Sequence, residues 1–189
     1  MVRPDAADRA QWSVVIPALQ EVQQLPLLLG QLQGPEQVVV VDGGSSDGTA
    51  AAAAAMGAHV VHASAANRGL QLAVGAAHAT RPWLLFIHAD VRLPEQWQEL
   101  LAEALAAEAV IAAAFRLRVR GLGWKLRLLE RLVGLRSRWR GLPYGDQGLA
   151  IAADDYQQIG GYRPLPLMED LDLVQRLGQI GRVALAAGA

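Results

Sequence analysis

Apolar residues along this chain fall into short unbroken runs separated by stretches with helical spacing. Trp12 to Pro17 predicts a first strand, Val38 to Val41 a second, Val60-Val61 a shorter third, and Trp83 to Ile87 a fourth entered through Arg81-Pro82. Continuous apolar runs of this length suit strands covered on both faces, as in a parallel sheet. Between them, Gln20 to Leu32 sets Val22, Leu25, Leu28, Leu29 and Leu32 at helical spacing and closes at Gly34-Pro35. Thr49 to Met56 predicts a helix stopped by Gly57, and Gly69 to Ala79 another with Leu72 and Ala76 inward. Pro94 opens a helix to about Ala107. The alternation βαβαβαβα predicts an α/β fold: a doubly wound, mostly parallel sheet with helices on both faces.

The second half is less regular. Val110 to Arg120 alternates Phe115, Leu117 and Val119 with Arg116, Arg118 and Arg120, which predicts a half-exposed strand. Leu122 to Trp139 has the pattern of a basic amphipathic helix or helix pair. Leu142 to Ile151 is a loop leading into a strand, Leu167 to Ile180 a helix, and Arg182 to Leu185 a last short strand. At 189 residues, residues 1–189 are expected to form a single domain, with 1–11 flexible and a basic helical segment at 121–140 inside it.

Composition narrows the classes. Hydrophobic residues at 52% with 19% charged exclude intrinsic disorder. The absence of cysteine excludes disulfides and thiolate metal sites, and fits a reducing compartment. Met1 to Gln11 does not read as a signal peptide, and no stretch approaches the uncharged apolar length of a membrane span. The net charge of −1 conceals an asymmetry: nine Lys/Arg against the single acid Glu130 between Arg116 and Arg140. Such a block suits an anionic membrane or a phosphate-bearing substrate. Nucleic acid fits less well, because no nucleic-acid-binding signature accompanies it.

Chemistry concentrates where strands end. Val38-Val39-Val40-Val41 stops at Asp42-Gly43-Gly44, and Ser45-Ser46-Asp47 then opens the next helix. Open α/β sheets bind ligands at the carboxyl ends of their strands. Asp42 can accept hydrogen bonds from a base or sugar, and the glycines admit close backbone approach. Asp47 is the expected helix N-cap. Asp90 follows the fourth strand in His88-Ala89-Asp90, and Glu169-Asp170 opens the last long helix. Carboxylates gathered in one crevice raise each other's pKa unless a cation intervenes. Mg2+ or Mn2+ bridging to substrate phosphates resolves that repulsion. On an extended segment, His88 and Asp90 would point the same way.

These residues resemble family 2 glycosyltransferases of the GT-A fold. The likeness rests on Ser13-Val14-Val15-Ile16-Pro17-Ala18-Leu19-Gln20-Glu21, on Val39 to Thr49, on His88-Ala89-Asp90 and on Met168-Glu169-Asp170, in that order. A closer likeness is to small bacterial arsenosugar-biosynthesis-type glycosyltransferases, through the His-Ala-Asp triplet, Ala114-Phe115-Arg116 and Gly141-Leu142-Pro143-Tyr144-Gly145-Asp146-Gln147-Gly148.

The resemblance implies an inverting, metal-dependent transfer from a nucleotide-diphospho-sugar, with a uridine preference, to a small or lipid-linked acceptor. Pro17, Ala18, Glu21, Asp42, Gly43, Arg68, Ala89 and Asp90 would bind the nucleotide. Asp90, with His88, would hold the metal. Asp170 would be the general base with Glu169 beside it, and Tyr144, Asp146 and Gln147 would face the acceptor. Two positions depart from the pattern: His88 replaces the first acid of Asp-x-Asp, and Ala73 replaces the asparagine of Gln-x-Asn-x-Gly. The second departure motivates the rival reading, a nucleotide-sugar-binding module with little catalysis. A dehydrogenase is disfavoured because no G-x-G-x-x-G follows the first strand.

The basic segment leaves two readings open. Leu122, Leu126, Leu129, Leu132, Val133 and Leu135 form an apolar stripe among Lys125, Arg127, Arg131 and Arg138, with Trp124 and Trp139 near the ends. It is either a core-facing helix with a solvated basic face or a peripheral contact to an anionic membrane. The expected location is cytoplasmic, with that segment as the candidate contact at the inner face of the membrane.

Overall fold

Strand β1 (Trp12–Ala18) is buried along its whole length, and its alternate residues divide the interior in two. Trp12, Val14, Ile16 and Ala18 face one helical layer and Val15 the other, following the two-residue repeat of a strand. The computed structural model describes residues 5–32, 34, 36–116 and 147–186. The basic segment 121–140, the outer part of the 110–120 strand, and Tyr144 and Asp146 lie outside the described residues.

Within them, β1, β2 (Gln37–Asp42), β3 (His59–His62), β4 (Trp83–Phe86), β5 (Val110–Ala114), β6 (Leu149–Ala152) and β7 (Arg182–Leu185) form one sheet in the order β3-β2-β1-β4-β6-β5-β7. Strands β1 to β4 are parallel, and β6 runs antiparallel between β4 and β5. Helices α1 (Leu25–Leu29), α2 (Thr49–Ala55) and α4 (Trp97–Leu105) cover one face; α3 (Arg68–His78), α5 (Ala153–Gln158) and α6 (Glu169–Leu177) cover the other. The first layer is centred on Trp12, stacked on Trp83 at 5.6 Å and met edge-on by Trp97 at 5.4 Å. Such pairs add about 0.5–1.5 kcal/mol each beyond the area they bury.

On the second face α3 lies directly on the sheet because residue 75 is glycine. A Cβ there would stand 2.3 Å from Val15 Cγ1 and 2.9 Å from Val41 Cγ2. Gly75→Ala is expected to destabilise the fold by about 1–3 kcal/mol through overpacking. An unchanged midpoint in urea unfolding would contradict that close contact.

Several expected boundaries move. The helix expected over 20–32 shrinks to α1, because Gln20 has a left-handed φ of 58° and the next amides serve the neighbouring loop. Glu21 N–H donates to Thr49 Oγ1 and Val22 N–H to Asp47 Oδ2. The N-cap of α2 is Gly48, not Asp47, which instead accepts from the Thr49 amide and hydroxyl. Strand β5 ends at Ala114 and is largely buried rather than half-exposed, since its two faces pack into the two apolar layers. Ahead of β1, Ala6 is buried and accepts the Trp12 indole N–H. Helix α5 has no counterpart in the sequence reading.

Candidate active site

Parallel register brings the carboxyl ends of the first three strands level. Ala18 pairs with Asp42 and Asp42 with His62, and Gly43 N–H donates to Ala18 O. Gln71, buried on α3, donates through Nε2 to Ala18 O at 3.0 Å and Val41 O at 2.8 Å, holding the ends of β1 and β2 together. The loops beyond are joined as well. Gln20 Oε1 accepts from the amides of Ser46 and Asp47, and Gln20 N–H donates to Ser45 Oγ.

Asp42 sits in this frame almost wholly buried. Its Oδ2 accepts from the amides of Gly44 and Ser45, both at 3.0 Å, and lies 3.5 Å from His62 Nδ1. Burial alone would raise its pKa; the hydrogen bonds from Ser45 and Gly44, with His62 nearby, outweigh that and lower it. Asp42 is therefore a fixed anion at neutral pH. Its other oxygen, Oδ1, is buried and meets no hydrogen-bond partner among the described residues. A buried acceptor left open is costly unless a ligand supplies the donor.

A second group forms where α3 and α6 begin. Asn67 caps α3 by accepting Leu70 N–H, and its amide donates to Leu165 O. Arg68, next in line, pairs with the buried Glu169 and stands 3.9 Å from Asp170 Oδ2. Gly69 permits this approach: a Cβ there would fall 2.3 Å from Arg163 O. Asp170 Oδ1 accepts the hydroxyl of the buried Tyr162 at 3.1 Å. Burial first, then Glu169, pushes the Asp170 pKa up against the opposing pull of His88, Arg68 and Tyr162. A carboxylate poised in this way suits proton abstraction.

His88 follows β4 and lines a small pocket with Tyr162 and Asp170, and Asp90 lies near Glu21. The chain turns at Ala89–Asp90, so the extended geometry expected for His88 and Asp90 does not hold. Asp90 is exposed and Ala89 buried. Glu21 has a raised pKa, from burial first, then from Asp90 and Asp47, with His88 opposing. Of the acids singled out from the sequence, Glu21 thus interacts with Asp90, and Asp170 with Glu169. No cluster of three or more His, Asp or Glu side chains able to hold a metal occurs among the described residues.

The remaining positions are also placed. Pro17 and Ala18 are buried at the carboxyl end of β1, and Gly43 follows Asp42 with the Gln71 amide against it. Gln147 is buried, and its side-chain amide donates to Phe115 O. Arg68, expected beside the nucleotide, is bound to the Glu169–Asp170 pair. Tyr162 is the residue that sequence reasoning missed, and Gln71 entered it only as the first position of Gln-x-Asn-x-Gly, with no role of its own. A tyrosine eight positions before the acid carries no periodic signal.

A sequence model of glycosyl transferase family 2 matches residues 13–163. The chain belongs to this family. The match takes in Asp42, Arg68, His88 and Asp90 and stops before Glu169 and Asp170. Among solved structures, the chain is 21% identical to glucosyl-3-phosphoglycerate synthase from Mycobacterium tuberculosis in complex with Mn2+, UDP-glucose and phosphoglyceric acid, with TM-score 0.68 over 92% of this chain and 68% of that one. It is 20% identical to a Pyrobaculum calidifontis mannosyltransferase in complex with GDP-Man and Mn2+, with TM-score 0.70 over 97% of this chain and 56% of that one. For S. aureus TarS 1–349 the values are 16% and 0.73, over 95% and 59%. The family 2 chain thus spans under two thirds of the last two proteins. At these identities the likeness is one of fold, and the fold is GT-A. Among curated proteins no relative matches the sequence.

Proposed function

We propose that this chain is an inverting glycosyltransferase. Its donor is a nucleotide-diphospho-sugar, with a UDP-sugar first, and its acceptor a small or lipid-linked hydroxyl compound. The observation that carries this reading is Asp170: a buried carboxylate with a raised pKa that lines a small pocket with His88 and Tyr162. In this reading the open Oδ1 of Asp42 accepts the base N–H, and Gly43 and Ala18 let the ring lie against the strand ends. Asp170 takes the proton of the acceptor hydroxyl as that oxygen attacks the anomeric carbon. The bond from that carbon to the diphosphate breaks on the opposite side, and the nucleoside diphosphate leaves.

The donor set suits a divalent cation. Asp90 is an exposed carboxylate, and Glu21 nearby has its own pKa raised partly by Asp90, the repulsion a cation relieves. One carboxylate with substrate phosphates is how Mg2+ is commonly held, and Mn2+ accepts the same oxygen donors. Asp90, with His88, would hold the ion, which would neutralise charge on the departing diphosphate. The finer likeness to arsenosugar-type enzymes, and so to a small hydroxyl acceptor, belongs to this proposal.

Thermal unfolding with nucleoside diphosphates tests donor recognition. UDP with Mn2+ at about 100 times its Kd should stabilise the fold by about 2.7 kcal/mol, and NAD should leave it unchanged. No shift with UDP or GDP, with or without the ion, would overturn the donor reading.

The reading extends to a peripheral membrane contact through the nine Lys/Arg of the Arg116–Arg140 segment. No helix among the described residues is long and apolar enough to cross a membrane. The protein should float with phosphatidylserine vesicles at low salt and be released as salt rises. Failure to float would leave the segment a solvated basic surface.

A further inference from the structure

Asp170 has two oxygens, and the structure treats them differently. Oδ1 accepts the Tyr162 hydroxyl at 3.1 Å, whereas Oδ2 faces the half-exposed Arg68 at 3.9 Å. Glu169, the adjacent acid, is buried and bound by the Arg68 Nε–H. Tyr162 is held from several sides. Its ring meets Phe86 edge-on at 5.0 Å and tilts against Tyr156 at 6.1 Å. Its backbone N–H donates to Tyr156 Oη at 2.9 Å. The turn before it is tied to α6 by Arg176, which donates to Ile159 O and Gly161 O, both at 2.6 Å.

We propose that Tyr162 is a positioning residue for the base: its buried hydroxyl locks Oδ1 of Asp170 and so assigns Oδ2 as the atom that receives the acceptor's proton. The inference rests on the glycosyl-transfer reading above and names which atom performs its proton step. A carboxylate at the first turn of a helix can rotate among staggered rotamers, and a hydrogen bond to one oxygen removes that freedom. Tyr162 serves this purpose because a phenol so deeply buried stays protonated, its pKa driven far up by burial and then by Asp170. It can only donate. A small pocket lined by Phe86, His88, Tyr162 and Asp170 opens at this point, so the orientation of Asp170 bears directly on what enters. Misplacing a reacting group by about 1 Å can lower a rate by about 100-fold.

Tyr162→Phe removes only the hydroxyl. Its kcat for release of UDP from UDP-glucose, with Mn2+ and water as acceptor, should fall by about 10–100-fold with an unchanged KM for the donor. Ser13→Ala, which cuts the hydrogen bonds of a buried residue at the start of β1 without touching Asp170 or Tyr162, should lower the melting temperature and leave kcat unchanged. Equal kcat in Tyr162→Phe and the unaltered chain, or equal losses in the two variants, would overturn the assignment. Crystal structures of the unaltered chain and Tyr162→Phe read the same point without turnover. The Asp170 carboxylate should rotate in the variant, and an unmoved carboxylate would overturn the positioning role. If the unaltered chain turns over no donor, the glycosyl-transfer reading fails, and the crystal comparison still decides what Tyr162 does. Should Tyr162→Phe not fold, Asp170→Asn carries the crystal test. An amide oxygen held on the Tyr162 hydroxyl agrees with the inference, and a side chain turned away contradicts it.

Discussion

Asp170→Asn is expected to lower kcat by about 10²–10⁴-fold, the usual contribution of a positioned base. Nucleoside-diphosphate affinity, read by calorimetry, should not change, because Asp170 lies with α6 and Asp42 with β2. The same substitution should stabilise the fold at neutral pH. The pKa of Asp170 is raised above its ordinary value of 3.8 in the folded state. The folded chain therefore binds its proton more tightly than the unfolded chain does. Stability is greatest below 3.8 and falls as pH rises through the folded pKa, after which the deficit persists. Asparagine carries no such deficit, so its melting temperature should exceed that of the unaltered chain at pH 7 and the advantage should vanish in acid. The acid limb of kcat should be displaced upward from the ordinary Asp value for the same reason. Loss of activity coupled to a gain in stability is the signature of a strained functional group. A variant that stays active sinks the base assignment.

Asp42→Ala should act on binding rather than on chemistry. Losing one charge-assisted hydrogen bond in a buried site is worth about 1.5–3 kcal/mol, or about 10–150-fold in Kd for UDP. The loss should be larger for UDP than for pyrophosphate, since Asp42 is assigned to the base and not to the phosphates. Equal losses for both would move Asp42 away from the base, and an unchanged Kd would remove it from the pocket. Part of the effect passes through the loop, because Oδ2 also fixes the Gly44 and Ser45 amides. A crystal structure of the variant with that loop unmoved would separate the two contributions.

What was legible in the sequence follows from what hydrophobic spacing reports. Spacing reports burial, and β1, β2 and β4 are buried runs bounded by Pro, Gly and Asp. Their strand-end acids Asp42 and Asp90 could therefore be singled out together with the sheet class. Spacing does not report pairing partners. The antiparallel insertion of β6 between β4 and β5 depends on contacts remote in sequence, and so does the meeting of Arg68 with Glu169. Nor does it report where backbone amides are spent. The helix expected from Gln20 lost its first turn to hydrogen bonds with Ser45, Asp47 and Thr49, which lie 25 to 28 residues away. The roles of Gln71 and Tyr162 stayed hidden for a different reason. Each is a polar residue on a buried face, where local rules expect only packing, and their function appears only with the backbone carbonyls and the carboxylate they bind.

The difference between Ala73 and the family asparagine has a local consequence. Ala73 packs partly against the apolar layer that contains Leu72 and Val15, so an amide there would meet that layer's edge. The neighbouring Gln71 and Gly75 of the same motif serve the frame, one as a clamp on two strand carbonyls and the other as a close-packing point. Two of the three motif positions thus support the crevice rather than the ligand, and the substitution at the third leaves that frame intact.

The most direct measurement of the central claim is release of nucleoside diphosphate from a panel of UDP- and GDP-sugars, with Mn2+ or Mg2+ present and then chelated. The unaltered chain and Asp170→Asn are assayed side by side. The account predicts metal-dependent release, fastest with a UDP-sugar, that the variant abolishes while still binding UDP. Binding of UDP with no release from any donor, or equal release by the variant, would contradict it.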